Sequence, residues 1–310
     1  MALEIVKEVP LILITGASGG LGGYVVAELE KKQQSAIAVV RSPVSLPPGK
    51  VTFVNGDLRD YKWITSLFER FPFRKVIHLA WDRGKGMDRF LKRQRHNLQF
   101  TENLLKMAQT FQVPSFVFIS SLNAGLPHKN QYARDKEEAE KMISASSIPH
   151  KTIYRLSSLF GIGVRAYLNN LAKSAMEKKI IFLLGENPLH FQPLFAGEAA
   201  RILLEEDKEG TYYIVGPEVW SDEDLVRTVE RIRHIRLKIF RLPLKTIAHF
   251  ISLGVKFSGL LGRIQEEIRA LNQDKMYRGP NELRGSVLYG DYLKNMLTGE
   301  WPDFQRRNST

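Results

Sequence analysis

Short apolar runs alternate with helix-like segments over roughly the first half of the sequence. The apolar runs lie at residues 11–15, 36–40, 51–54, 75–79 and 115–120. The helix-like segments lie at 60–71, 88–112 and 131–146, and another begins at Gly22. Short runs that are apolar throughout are typical of strands buried on both faces of a parallel sheet. The alternation therefore predicts an α/β fold built on a doubly wound parallel sheet.

The alternation breaks down after residue 156. From there the sequence predicts, in order, a helix at 165–179, a strand at 211–215, a helix at 221–234 and mainly helical chain to about Leu271. Ser221 is the expected N-cap of the helix at 221–234, because the acidic residues after it suit the positive end of the helix dipole. We expect a sheet domain over 1–160, with a returning strand near 190–200, and a smaller, mainly helical lobe over most of 161–310.

The composition excludes some kinds of site. The chain contains no cysteine, which excludes a disulfide framework, a thiolate metal site and a cysteine nucleophile, and we predict no metal site. The net charge of +12 would suit a nucleic acid partner, but the basic residues are spread widely. The densest run, residues 83–96, is interpreted as a solvated helix face rather than as an electropositive rim for an anionic cofactor or substrate. We expect no nucleic acid partner.

Two features bear on location. No stretch approaches the roughly 20 uninterrupted apolar residues of a membrane span. The first residues lack the basic start and the small-residue cleavage site of a signal peptide. We therefore expect a cytoplasmic protein without stable membrane insertion.

Residues 242–264 combine many Phe, Ile and Leu residues with scattered basic ones. This composition is typical of an interfacial membrane helix, and equally of a helix that covers a substrate cleft. Internal glycines weaken a long regular helix, and we therefore favour the cleft. Its apolar wall would suit a hydrophobic carbonyl or alcohol.

A glycine-rich loop joins the first strand to the first helix, with the sequence TGASGGLG at residues 15–22. Its glycines would allow a tight turn, the approach of a pyrophosphate and close packing of the helix on the strand. The phosphates would bind free backbone N–H groups at the helix N-terminus. The predicted loop contacts are Gly16, Ser18, Gly19, Gly20, Leu21 and Gly22. Because the strand and helix that this mechanism requires flank the loop, residues 1–160 are predicted to form a Rossmann-type NAD(P)-binding domain.

The end of the second strand indicates which dinucleotide binds. An NAD site usually has Asp or Glu about 20 residues after the glycine loop, where it bonds the adenosine ribose. The sequence here is Val39-Val40-Arg41-Ser42, without an acid. Arg41 could stack on adenine and pair with a 2′-phosphate through its planar guanidinium group. NADP is therefore the favoured cofactor, and NAD is the alternative if Arg41 is only an exposed loop residue.

Tyr132 and Lys136 form the most informative pair in the sequence. At i and i+4 they lie on one face of the predicted helix. A phenol is a poor base at neutral pH, but a lysine cation one turn away and the positive nicotinamide ring favour the phenolate. Tyr132 could exchange a proton with the carbinol oxygen while nicotinamide C4 exchanges hydride, and Lys136 could bind the nicotinamide ribose. Ser121, at the end of an apolar strand, could hydrogen-bond the same oxygen.

Together these motifs resemble the extended and atypical short-chain dehydrogenase/reductases, the NAD(P)-dependent epimerase/dehydratase group. The elements that occur in the order of that family are the glycine loop, Gly56-Asp57-Leu58, His78-Leu79-Ala80, Asn97, Ser121, Tyr132 and Lys136. The resemblance covers most of residues 11–235. It implies that Asp57 and Leu58 contact the adenine ring, that Ala80 lets the cofactor lie across the sheet edge, and that Asn97 supports the active site.

Two departures from the family pattern bear on the substrate. The segment between Ser121 and Tyr132 is shorter than in sugar-nucleotide epimerases, and Trp81 stands where a small residue is common. We favour an NAD(P)-dependent oxidoreductase that acts on a small-molecule carbonyl or alcohol. A nucleotide-sugar epimerase or dehydratase, and a non-catalytic NADPH-binding structural or regulatory protein, stay open as alternatives. A homodimer is compatible with all three.

Overall fold

The computed structural model of the chain describes residues 11–42, 49–82, 87–164, 166–205, 208–243, 269–270 and 273–298. The helix expected at 242–264 lies almost entirely outside these ranges. No helix within them is long and apolar enough to cross a membrane.

Eight strands form one large sheet that includes the carboxyl edge on which the predicted site depends. The strands of the described residues, inside and outside this sheet, are β1 (Leu11–Thr15), β2 (Ala36–Val40), β3 (Val51–Asn55), β4 (Phe73–His78), β5 (Ser115–Ser121), β6 (His150–Leu156), β7 (Leu159–Phe160), β8 (Ile180–Leu184), β9 (His190–Phe191), β10 (Leu194–Phe195), β11 (Gly210–Val215), β12 (Trp220–Ser221), β13 (Lys238–Leu242) and β14 (Glu282–Arg284). The order in the large sheet is β14-β11-β6-β5-β4-β1-β2-β3. β1 pairs in parallel with β2 and β4, which brings Thr15 level with Val39 and His78. The predicted doubly wound sheet is confirmed.

Helices connect the strands. They are α1 (Gly20–Lys31), α2 (Tyr61–Arg70), α3 (Met87–Thr110), α4 (Gln131–Ala145), α5 (Tyr167–Glu177), α6 (Ala196–Glu205), α7 (Asp222–Arg233) and α8 (Tyr289–Thr298). The sequence of α2 explains its formation: the Asp60 side chain accepts from the backbone N–H of Trp63 at 3.1 Å, which caps the first turn. Ile64, Leu67 and Phe68 then fall on one face at helical spacing and are buried.

The chain divides into two compact units. The first comprises Met1–Ser120, Asp135–Tyr154 and Ala199–Tyr212. Its core is apolar sheet covered by helices, and all five residues of β2 are buried. The second comprises Ser121–Arg134, Arg155–Glu198 and Tyr213–Thr310.

The core of the second unit is aromatic. The ring of Phe160 lies 5.0 Å from that of Tyr289 and 4.9 Å from that of Tyr292, centroid to centroid. Trp220 packs edge-on against Tyr289 at 5.4 Å. The backbone nitrogen of Tyr289 donates to the carboxylate of Glu218 at 2.6 Å, which suits the positive end of α8.

The structure differs from two expectations for the second half of the chain. Residues 238–242, within a stretch expected to be mainly helical, form β13, which pairs in parallel with β8 far earlier in the sequence. The returning strand expected near 190–200 is replaced by the short strands β9 and β10, outside the large sheet, and by the start of α6. Pro193 lies between β9 and β10 and cannot donate to a strand ladder. The strand that joins the large sheet instead is β11.

The N-cap of α7 offers a test of the second unit's stability. Ser221 Oγ accepts from the backbone N–H of Asp224 at 2.9 Å, and the Asp224 carboxylate accepts from the backbone N–H of Ser221 at 3.1 Å. We expect Ser221→Ala to lower the free energy of unfolding by about 1 kcal/mol, because the backbone N–H of Asp224 loses its acceptor and the Asp224 carboxylate loses the hydroxyl that helps to hold it. Chemical denaturation measures this. Ser66→Ala, at an exposed position of α2, is the control and should change stability by less than half as much. An equal loss would contradict the assignment.

Candidate functional site

The glycine loop between β1 and α1 packs closely against the end of β4. Gly16 has a left-handed backbone with φ of +75°, and a Cβ added there would lie 2.6 Å from the backbone nitrogen of Ala80. A Cβ at Gly22 would lie 2.2 Å from the carbonyl oxygen of Gly16. No side chain fits at such distances, so the packing of the loop itself requires these two glycines.

Gly19 is different, because the described residues give little packing reason for a glycine there. Its backbone is extended, with φ of −78° and ψ of 166°, which any residue can adopt. An added Cβ would meet only the carbonyl oxygen of Gly16 within 4 Å, at 3.2 Å. Gly19 is the N-cap of α1, yet no side chain caps that helix and its first turn carries no acid. Exposed backbone at an uncapped helix N-terminus is the surface that an anion binds.

A buried hydrogen-bond network fixes the ends of β1 and β4 beneath the loop. The backbone N–H of Ala80 donates to Thr15 Oγ1 at 3.2 Å, and Thr15 Oγ1 lies 2.7 Å from His78 Nδ1. His78 Nε2 lies 3.2 Å from Thr101 Oγ1, which donates to the carbonyl of Asn97 at 3.1 Å. Burial, and secondarily the charge of Lys136, lower the pKa of His78 to about 3. The imidazole is therefore neutral and supports the sheet edge.

Four charged residues lie together at the carboxyl ends of β2, β3 and β4. Arg41, predicted to select NADP, is largely exposed and lies 3.9 Å from Asp82. Asp57, predicted to contact adenine, is bound by the guanidinium group of Arg59, whose hydrogen bonds hold the pKa of that carboxyl below its ordinary value. Leu58 is buried, and its carbonyl accepts from the amide of Asn103 at 2.9 Å.

Asn97 fixes the loop that follows β4. Its Oδ1 accepts from the backbone N–H of Asp82 at 2.8 Å, and its Nδ2 donates to the carbonyl of Asp82 at 3.0 Å. The side chain is almost fully buried. Both polar atoms of the amide are thus hydrogen-bonded to the backbone next to Trp81. Asn97 is therefore a positioning residue for this loop.

Lys136 extends from α4 to the carboxyl ends of β4 and β5. Its side chain is buried, and its ammonium group donates to the carbonyl of Ile119. The Nζ atom lies 3.7 Å from the ring centroid of Trp81 and 4.4 Å from that of Phe118. Electron-rich ring faces at these distances stabilise a cation. Trp81, the residue that departs from the family pattern, therefore contacts the predicted catalytic lysine directly.

The other predicted catalytic residues lie at the end of β5 and the start of α4. Tyr132 is half-buried in the first turn of α4, one turn before Lys136. Ser121 is half-buried at the end of β5, where its Oγ accepts from the backbone N–H of Asn123 at 3.3 Å. Ser120 turns inward instead, and its hydroxyl donates to the buried carboxylate of Glu140.

Sequence reasoning missed three of these contacts. Arg59 binds the carboxylate of Asp57, and the signal was the spacing of two residues between opposite charges in a loop. Glu140 lies one turn after Lys136 on α4, which marks it as a residue on the inner face of that helix. The contact between Trp81 and Lys136 has no local sequence signal, because α3, β5 and the loop after β5 separate the two residues along the chain.

The fold and the loop define the class of protein. The strand order β3-β2-β1-β4-β5-β6, with a glycine loop after β1, is that of the Rossmann dinucleotide-binding folds. A sequence model described as the NAD dependent epimerase/dehydratase family matches residues 12–204. The chain belongs to this family, and the predicted relationship to the extended short-chain dehydrogenase/reductases is confirmed.

Individual relatives are more distant. The chain is 24% identical over 310 residues to short-chain dehydrogenase/reductase family 42E member 1 of Homo sapiens, an alignment that covers 86% of this chain and 78% of that protein. It is 28% identical over 200 residues to the decarboxylating sterol-4-alpha-carboxylate 3-dehydrogenase of Schizosaccharomyces pombe. That alignment covers 57% of this chain and 58% of the yeast protein.

Solved structures share the fold. The UDP-glucose 4-epimerase from Bifidobacterium longum, in complex with NAD⁺ and UDP, matches with a TM-score of 0.64 and 20% identity. The match covers 75% of this chain and 86% of that one. The chain is therefore an enzyme of the NAD-dependent dehydrogenase, epimerase and dehydratase group, as the sequence predicted.

Proposed function

We propose that this protein is an NADP(H)-preferring oxidoreductase that interconverts a carbonyl group and an alcohol on a small, apolar substrate. One observation carries the proposal: Lys136, one helical turn after Tyr132, has its ammonium group buried beside the carboxyl ends of β4 and β5. Ligands of doubly wound sheets bind outside the carboxyl ends of the strands, where the strand order reverses. That reversal falls between β1 and β4 here.

The residues around the glycine loop fit a dinucleotide. Gly16 and Gly22 are required by internal packing, whereas Gly19 leaves backbone accessible at the uncapped start of α1. A pyrophosphate would fill the space that a side chain at residue 19 would occupy. Ser18, Gly20 and Leu21 complete the proposed phosphate contacts. When bound, the nicotinamide ring supplies or accepts hydride at C4.

The remaining chemistry falls to side chains of this chain. Tyr132 would exchange a proton with the carbinol oxygen, and Ser121 would hydrogen-bond the same oxygen to orient the carbonyl. Lys136 would favour the phenolate form of Tyr132 and bind the nicotinamide ribose. Asn97 would act through the loop that it fixes next to Trp81, without contacting substrate.

The preference for NADP(H) rests on Arg41. Its side chain is 74% exposed, so its donors are accessible to a 2′-phosphate, and its contact with Asp82 is long at 3.9 Å. A planar guanidinium group can bind a phosphate through two hydrogen bonds. Arg59, two residues after Asp57, adds positive charge to the same edge of the sheet.

Nucleotide-sugar epimerisation is the second candidate, because a UDP-glucose 4-epimerase of Mus musculus is 28% identical over 209 residues. The two candidates differ in net reaction, since an epimerase regenerates its cofactor. A panel of apolar carbonyl compounds and nucleotide sugars, assayed with NADPH and NADH, separates them.

We also propose a cytoplasmic location and a homodimeric state.

The first prediction concerns cofactor choice. We expect Arg41→Ala to weaken NADPH binding about ten- to a hundredfold while NADH binding changes little, because a charged hydrogen-bonded contact contributes about 1.5–3 kcal/mol. Titration by cofactor fluorescence measures both affinities. Arg70→Ala is the control, since Arg70 is exposed at the far end of α2. Equal losses of NADPH and NADH affinity in Arg41→Ala would refute the preference.

The second prediction concerns the loop. We expect Gly19→Val to abolish dinucleotide binding with the fold retained, because the extended backbone accepts valine but the side chain fills the pyrophosphate position. Gly23→Ala is the matched control: a Cβ there meets nothing within 4 Å, and binding should stay at the wild-type level. Calorimetric titration with circular dichroism checks both variants. If Gly19→Val bound the dinucleotide with wild-type affinity, the pyrophosphate site would lie elsewhere.

The third prediction separates a catalyst from a mere binder. We expect Tyr132→Phe to lower turnover by about 10²–10⁴, the usual contribution of a positioned acid–base group, with cofactor affinity nearly unchanged. Lys136→Met should impair both turnover and cofactor binding. Tyr61→Phe, at an exposed position of α2, is the control and should retain full activity. Full activity in Tyr132→Phe would disprove the catalytic assignment. If the wild-type protein bound NADPH tightly but converted no compound of the panel, the non-enzymatic alternative would be favoured.

A further inference from the structure

An exposed apolar face lies on the pair of strands β8 and β13 in the second unit. The strands run in parallel, with Phe182 level with Phe240. Phe182 is 60% exposed, Phe240 49%, Ile180 44% and Leu242 37%. The two phenyl rings stack at 5.9 Å between centroids. Side chains alternate between the faces of a strand, and the residues between these ones in β8 are buried, so one face belongs to the core and the other is exposed.

Basic residues surround the amino-terminal end of this face. Lys178 and Lys179 directly precede β8, Arg236 lies two residues before β13, and Lys238 begins it. All four are exposed. The backbone N–H of Lys238 donates to the carbonyl of Lys179 at 2.9 Å, which brings the two strand starts together. Alternation along β13 places Lys238 on the same face as Phe240.

An open recess adjoins the basic end of the face. Its volume is about 590 Å³, and Arg231, Arg236 and Lys238 are among the residues that line it. Glu230 also lines it, but Arg227 binds the Glu230 carboxylate at 2.7 Å and so compensates its charge. The recess is therefore a basic pocket next to an aromatic surface.

We propose that this face, defined by Ile180, Phe182, Phe240 and Leu242 with the four basic residues at its end, docks on an anionic phospholipid membrane. Aromatic and aliphatic side chains enter the boundary between headgroups and acyl chains, and lysine and arginine side chains meet lipid phosphates. The proposed contact is peripheral adsorption of this face, and among the described residues no helix is long and apolar enough to cross a bilayer. The inference stands independently of the reaction proposed above.

Charge and size argue against a second copy of the chain as the occupant. In a two-fold symmetric contact the same patch faces itself, so a contact centred on the basic end would bring the four basic residues against their own copies. A stable protein interface also uses roughly 20–30 residues a side, far more than this face offers. An anionic lipid surface would instead attract the four basic residues, and the strength of such binding scales with the buried apolar area and with this attraction.

Vesicle co-sedimentation of the full chain tests the proposal. The probes are vesicles of phosphatidylcholine alone and vesicles that also contain phosphatidylserine. The first variant, Phe182→Ser with Phe240→Ser, removes the aromatic pair, and the second, Lys179→Glu with Lys238→Glu, reverses the charge. The matched controls are Tyr61→Ser, an aromatic residue of 46% exposure on α2, and Lys50→Glu with Lys62→Glu, both exposed in the first unit. Circular dichroism and thermal denaturation show whether each variant is folded.

We expect wild type to sediment with phosphatidylserine vesicles and to be released by high salt, because the charges lie at the surface. Each patch variant should bind at least tenfold more weakly, and each control should bind like wild type. The proposal is overturned if wild type stays in the supernatant, or if patch and control variants bind alike. It is equally overturned if analytical ultracentrifugation without vesicles shows a dimer that Phe182→Ser with Phe240→Ser dissociates, since a second copy would then occupy the face.

Discussion

The close contact between the glycine loop and the end of β4 is the constraint on which the first unit depends. With no Cβ at Gly16, the chain can turn within contact of Ala80, and with none at Gly22, α1 can begin against the carbonyl of Gly16. Beneath the loop, the hydroxyl of Thr15 accepts a hydrogen bond from the backbone N–H of Ala80 and also bonds His78. The other ring nitrogen of His78 bonds Thr101. Because these contacts satisfy the loop internally, its outer surface at Gly19 is left with accessible backbone.

A single arrangement of protons satisfies this buried network. Thr101 donates to the carbonyl of Asn97, so its oxygen can accept from His78 Nε2. His78 Nδ1 is then the acceptor for the Thr15 hydroxyl, whose oxygen accepts from Ala80. A charged imidazole would have to donate from both nitrogens and would lose the bond from Thr15. This requirement acts in the same direction as burial, which lowers the pKa of His78 to about 3.

Local patterns were sufficient to predict the sheet half of the fold. Runs such as residues 36–40 are short, apolar and buried on both faces, and a parallel sheet is the structure that buries them. Local patterns could not predict β8 and β13, because their pairing joins segments that are remote in sequence and leaves one face exposed. The interruption at Pro193, which divides residues 190–195 between two short strands, also depends on partners elsewhere in the chain.

The candidate site also has a part that could be predicted from the sequence and a part that could not. Motif residues such as Gly16, Tyr132 and Lys136 could be found because their chemistry requires fixed spacing within one element or one turn. Their surroundings could not, since the ring of Trp81 reaches Lys136 only through the packing of β4 beside β5. The role of Asn97 likewise depends on tertiary structure, because both of its amide atoms bond the backbone of Asp82.

These surroundings determine how the buried charge of Lys136 is tolerated. A buried ammonium group is unfavourable unless electron-rich groups replace water, and the ring of Trp81, the ring of Phe118 and the carbonyl of Ile119 all do so. A small residue at position 81, as is common in the family, would leave that face of the ammonium group to water or to the cofactor. Because Asn97 fixes the loop that carries Trp81, its buried amide acts on the lysine without touching it. The indole thus holds the cation in place before any ligand binds, which reduces the ordering that binding must supply.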